Sequence, residues 1–223
     1  SGRDADPSDP GDWITVAENA SGSFAGCGVS DSSWHGTHVS GTIAALRNNS
    51  IGIAGIAPAA RIQPVRVLGK CGGYLSDLAD AIVWASGGAV SGVPANATPA
   101  RVINMSLSGI GSCNSTYESA INSATSRGTV VVVSAGNNDL DASGFRPASC
   151  AGVITVAATD RSGARASFSN YGSLVEIAAP GVALWSTLTA GATVPANPIY
   201  AKYSGTSMAA PHVAGVAARM LAA

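Results

Sequence analysis

Apolar and polar residues alternate along this chain with two periods, and each period names an element. Arg61 to Leu68 (RIQPVRVL) reads as a strand, and Pro64 inside it argues for a bend or a sheet edge. Ser76 to Ser86 carries apolar residues at 78, 82 and 85, a helical spacing, with Ser76 as its N-cap. Arg101 to Leu107 (RVINMSL) reads as a buried strand. Ser115-x-x-Glu118 has the form of a capping box, opening a helix that should stop at Gly128. Thr129 to Ala135 (TVVVVSA) is nearly all apolar, as expected of a strand covered on both faces. Val153 to Ala158 and Val175 to Ala178 are further strands, and a last helix is expected over 207–221 with Pro211 near its start. The order βαβαβ predicts an α/β fold, a mainly parallel sheet flanked by helices on both faces. Residues 1–33 and 136–150 read as surface loops, and Gly87 to Pro99 as an inserted one.

Composition narrows the function. Charged residues make up 11% of 223 and the net charge is −1, which excludes the basic face of a nucleic-acid binder. Lys70 and Lys202 are the only lysines, so no polybasic membrane anchor exists, and no apolar run approaches about 20 residues. Cysteines stand at 27, 71, 113 and 150 without a CxxC pair. An even number permits two disulfides in three connectivities and points to an oxidising compartment. The chain opens Ser1-Gly2-Arg3-Asp4, neither basic nor apolar, which fits a processed form of a secreted protein. Asp4, Asp6, Asp9 and Asp12 crowd four carboxylates into nine residues, which suits either a Ca²⁺ loop or a solvated acidic tail.

Three strings carry the chemistry: Trp34-His35-Gly36-Thr37-His38, then Ser134-Ala135-Gly136-Asn137 after the Val-rich strand, then Gly205-Thr206-Ser207-Met208-Ala209 at a loop-to-helix junction. A serine there has the helix N–H groups near it, and they favour a developing negative charge. Such a weak nucleophile needs a base, and the chain offers His35, His38 or His212. A dinucleotide-binding reading would need GxGxxG between a strand and a helix, and neither Gly87-Gly88 nor Gly109-x-Gly111 supplies it.

These strings resemble the His, oxyanion-Asn and Ser signatures of the subtilisin-like serine proteases, the subtilases. INMSLSG at 103–109 and NNSIGIAGIAP at 48–58 resemble the family's substrate strand and calcium loop, so the likeness covers about residues 30 to 220. It implies the three-layer subtilisin-like fold and a secreted serine endopeptidase of broad specificity, apolar at P1, the residue before the cut bond. Ser207 would be the nucleophile, His35 the general base and Asn137 an oxyanion donor; His38 and His212 would be structural. A peptide would lie between Gly72-Gly73-Tyr74 and Ser106-Leu107-Ser108. The P1 pocket would be walled by Ser106 to Gly109 and by Ser134 to Asn137, including Ala135 and Gly136. Ser108 stands where the family often has Gly and would narrow it. Tyr74, Leu78 and Leu107 would line the P4 pocket. Asn49, through its side chain, and Ile51 and Ile53, through their carbonyls, would hold Ca²⁺, giving one or two calcium sites with the acidic loop. The same likeness implies Cys27–Cys71 and Cys113–Cys150 disulfides, protein or peptide substrates, a folding propeptide, a monomer, and neither nucleic-acid nor membrane partners.

One element of the pattern is missing. In the family the triad Asp ends an apolar strand ahead of the His string, in an apolar-Asp-Ser/Thr-Gly setting, and no such motif occurs here. Asp4 lies 31 residues before His35, but only three residues precede it, so no strand could position it. With 16 residues after Ser207, the expectation is one peptidase domain over 1–223, incomplete at both ends, with the Asp upstream. The alternative is a catalytically impaired subtilase fragment or pseudoenzyme that binds peptides.

Overall fold

The structure is a computed structural model that describes residue 6 and residues 8–223; Asp4 lies outside the described residues. Its elements are α1 (Val16–Ala20), α2 (His35–Ala44), α3 (Leu75–Ala85), β1 (Val102–Met105), β2 (Gly109–Ile110), α4 (Ser115–Thr125), β3 (Val130–Ser134), β4 (Phe145–Arg146), β5 (Val153–Thr159), β6 (Ile177–Pro180), β7 (Leu184–Thr189), β8 (Pro198–Tyr203) and α5 (Thr206–Ala222). The main sheet runs β1-β3-β5-β6, all parallel, with Val131 opposite Ile103 on one side and Val153 on the other.

The Val run of β3 occupies the centre because both its faces are covered. Val131 and Val133 meet Ile82 of α3 and Ile121 and Ala124 of α4. Val132, with Val156 and Ala158 of β5, meets Ala209, Ala210 and Ala214 of α5. The small residues of α5 let a helix lie close on the sheet, and Ser207 in its first turn meets Ser106 just beyond the end of β1. The β7–β8 hairpin then clamps α2: Ser186 Oγ donates to the His38 carbonyl and Tyr203 Oη to that of Ser33.

Several local expectations shift. Asn114, not Ser115, caps α4, its Oδ1 accepting from Tyr117 N–H, while a true capping box joins Thr15 and Glu18 at α1. Helix α3 starts at Leu75 with Tyr74 at its N-cap and no side-chain cap, so Ser76 lies inside it. The stretch 136–150 is not a surface loop throughout: Ala142, Phe145, Ala148 and Cys150 are core, and β4 pairs with β2. Both disulfides, Cys27–Cys71 and Cys113–Cys150, are formed.

Arg61–Leu68 is extended but enters no ladder among the described residues. It lies across a cavity of about 1700 Å³ from the open edge of β1, with α3 on one face and α2 and α5 on the other. Ile62, Val65 and Leu68 are therefore exposed despite their apolar character. Two extended walls between two helical layers leave the space of a sheet strand.

Candidate active site

Ser207 sits in the first turn of α5, where backbone N–H groups lack helical partners. Ser106, just beyond β1, holds it from two sides. Ser106 Oγ donates to the Ser207 carbonyl at 2.7 Å, and Ser207 Oγ donates to the Ser106 carbonyl at 3.2 Å. Asn104 Nδ2 in turn donates to Ser106 Oγ at 2.9 Å.

Asn137 is oriented by the residue before the serine. Its Oδ1 accepts from both the N–H and the hydroxyl of Thr206, each at 2.8 Å, which leaves its Nδ2 hydrogens free. Thr206 Oγ1 also accepts from Gly136 N–H at 3.2 Å. The loop carrying Asn137 is splinted by buried Asn170, whose Oδ1 accepts from the N–H groups of Asn138 and Leu140 and whose Nδ2 donates to the Ala135 carbonyl. A Cβ on Gly136 would stand 2.3 Å from Asn170 Nδ2, and its φ of +104° is left-handed, so glycine is needed there. Thr206 and Asn170 escaped the sequence reading. Thr206 stands inside the serine string, but Asn170 carries no local signal.

His35 opens α2 and lines the same groove as Ser106, Leu107, Ser108 and Gly109. Burial holds its pKa below the usual imidazole value, His38 adds to this, and Asp12 opposes it. Among the described residues no carboxylate bonds to the ring: Asp12 accepts from Ser33 N–H and Oγ at 2.6 and 2.7 Å. His38 is 0% exposed, with Nε2 within 3.1 Å of the Leu184 and Ala201 carbonyls and its ring stacked on Tyr203. His212 Nδ1 meets the Met208 carbonyl in its own helix. Among the described residues His35 is thus the histidine whose ring is left free of such contacts.

Ser108 Oγ lies 3.4 Å from where a Gly136 Cβ would be, so the two walls named for P1 approach each other there. Gly73 has Val67 O where a Cβ would go, which explains glycine beside that strand. Tyr74 is 78% exposed and stands off the groove, while its neighbour Leu75 lines it with Leu78 and Leu107.

Around the acidic loop no three His, Cys, Asp or Glu side chains converge among the described residues. Asp6 accepts from Ser8 at its N–H and hydroxyl, and Asp9 accepts from Gly11 N–H and faces Arg66 at 3.3 Å. Asn49 Oδ1 accepts from Ile51 N–H. Asn49, Ile51 and Ile53 offer three neutral oxygens, short of the six to eight that Ca²⁺ takes.

Comparison with known proteins gives the family. Residues 11–223 match the subtilase family. Over 217 residues the chain is 60% identical to an extracellular protease of Xanthomonas campestris, covering 97% of this chain and 37% of that protein. It is 48% identical to an extracellular basic protease of Dichelobacter nodosus, again covering 37% of the relative, and 47% identical to subtilisin BL of Lederbergia lenta over 84% of this chain and 63% of that one. The chain therefore spans little more than a third of the first two relatives. A solved structure of proteases from Pseudoalteromonas arctica superposes with a TM-score of 0.91 at 53% identity, covering 96% of this chain and 65% of that one. The sheet, the three strings and these matches lead to one conclusion: the chain belongs to the subtilase family.

Proposed function

We propose that this chain is the catalytic part of a secreted serine endopeptidase that cuts peptide bonds through an acyl-enzyme. The observation that carries the reading is the pinning of Asn137 Oδ1 by Thr206, one residue before Ser207, which leaves the amide hydrogens of Asn137 free beside the unpaired N–H of Ser207. Two such donors are what a tetrahedral oxyanion needs, and loss of one costs about 10²–10³ in turnover, a figure established on a subtilisin.

The steps follow. Ser207 Oγ turns from the Ser106 carbonyl toward His35 and attacks the substrate carbonyl carbon as His35 accepts its proton. The oxyanion draws on Asn137 Nδ2 and Ser207 N–H. His35 returns the proton to the leaving amine, and water repeats the sequence on the ester. A carboxylate that steadies the imidazolium would come on an apolar strand from outside these residues, seated between Arg61–Leu68 and β1; the open edge of β1 and the apolar walls of the cavity support this. Protein or peptide substrates are the partners. Two disulfides and the extracellular names of the relatives support secretion, and no helix among the described residues is long and apolar enough to cross a membrane. Calcium enters only as a structural ion, completed by donors beyond Asn49, Ile51 and Ile53.

A second reading, peptide binding with impaired hydrolysis, is favoured by the absence of a carboxylate on His35 among the described residues. A fluorophosphonate separates the two. One adduct at Ser207 with peptide hydrolysis supports the endopeptidase. Peptide binding without an adduct on the 223-residue chain supports the second reading.

A further inference from the structure

The groove beside Ser106–Gly109 ends in two donors that have no acceptor among the described residues. Gly109 of β2 pairs with Arg146 of β4, and Arg146 lines the groove with Leu75, Leu78 and Leu107. Its Nη1 lies 3.2 Å from where a Gly111 Cβ would be, so the guanidinium lies over the residue that follows β2. Arg66, Lys70 and Arg165 each face a carboxylate, but Arg146 has none among the described residues. Tyr117 is 3% exposed yet lines the same groove, and its hydroxyl has no protein partner among the described residues. Burial pushes its phenol up, and the nearby Arg146 charge partly offsets this.

We propose that Arg146, assisted by the Tyr117 hydroxyl, makes this end of the groove a receptor for an acidic side chain, so that the enzyme favours Glu or Asp at P4. This rests on the endopeptidase reading, in which the acyl side of the substrate runs along Ser106–Gly109. The spacing matches: from Ser106, at the nucleophile, to Gly109 is three residues, about 10 Å of extended chain, and P1 to P4 spans the same length. The three leucines take the methylenes of a Glu stem, and the guanidinium and phenol take its carboxylate. A positive charge on apolar walls is worth more than one in open water, and salt weakens it.

The test compares tetrapeptide p-nitroanilides that differ only at P4, bearing Glu, Leu or Lys. The expected result at low ionic strength is a kcat/KM for Glu about tenfold above that for Lys, the scale of one close charge pair. The ratio should shrink in high salt, fall to about one in Arg146→Met, and survive in part in Arg146→Lys. Salt dependence of the unaltered enzyme keeps the test valid if Arg146→Met folds poorly. An unchanged Glu-to-Lys ratio in folded Arg146→Met, or a ratio near one in the unaltered enzyme, overturns the proposal. No turnover with any P4 residue overturns the endopeptidase reading instead. The P4 question is then decided by the same Glu-to-Lys ratio in binding of the peptide amides to Ser207→Ala, where a ratio near one overturns it.

Discussion

Replacing Asn170 by Ala tests how Asn137 is held. Asn170 is 0% exposed, and its side chain makes three bonds: from Asn138 N–H at 2.9 Å, from Leu140 N–H at 3.2 Å, and to the Ala135 carbonyl at 2.8 Å. Asn138 and Leu140 are exposed, so their N–H groups can turn to water, and each loss is about 1 kcal/mol or less. Ala135 is fully buried, so its carbonyl would lose its side-chain partner where no water reaches it, at a cost of about 1–3 kcal/mol. The expected destabilisation is about 3 kcal/mol, or roughly 10 °C in Tm for a chain of this size. Guanidinium unfolding followed by tryptophan fluorescence, with both disulfides intact, measures it. A loss under about 1 kcal/mol would refute the splint.

Asn170→Asp sharpens the test, because it keeps the acceptor for both N–H groups. As a neutral acid it can donate to the Ala135 carbonyl; as a carboxylate it repels that carbonyl in a dry site. The folded pKa is then raised, so stability is present below the unfolded value of about 3.9 and is lost as pH rises through the folded one. A variant as stable as the unaltered chain at pH 8 would also count against the assignment.

The remaining predictions concern protons, sulfur and backbone. The Asp12 charge opposes the lowering of the His35 pKa by burial, so Asp12→Asn should move the midpoint at which kcat/KM rises with pH to a lower value; a pH–rate profile checks it. His35, His38 and His212 are all lowered, so the fold favours their neutral forms and stability should fall as pH drops below 6.5, seen as a falling Tm. Cys71 is exposed and Cys150 buried, so a mild reductant should open Cys27–Cys71 before Cys113–Cys150, as peptide mapping of alkylated cysteines would show. Closing loops of 44 and 37 residues, each bridge should contribute about 4 kcal/mol in the chain-entropy account, measured by unfolding with and without reductant. Gly136→Ala, with its Cβ 2.3 Å from Asn170 Nδ2, should lower both stability and turnover, and Asn170→Ala should relieve part of the clash.

What could be read from the sequence was set by how local its causes are. The Val run of β3 and the α3-β1-α4-β3-β5 order needed only periodicity, and the starts of these elements match to within a residue. The capping signal at Ser115 was one residue off because Asn114 is the better acceptor, and local spacing alone does not rank the two. Arg61–Leu68 has the composition of a strand, but a strand is a pairing, and among the described residues it has no partner. The same distinction governs the site. The three strings put a nucleophile, a base and an amide within one family pattern. The direction in which the Asn137 amide points depends on Thr206, 69 residues away, and the loop beneath it on Asn170, about 30 away. An amide turned the other way would present Oδ1 to the oxyanion and repel it. The proposed oxyanion chemistry therefore rests on contacts that no local motif encodes, and the Asn170 and Gly136 variants probe those contacts without touching a reacting atom.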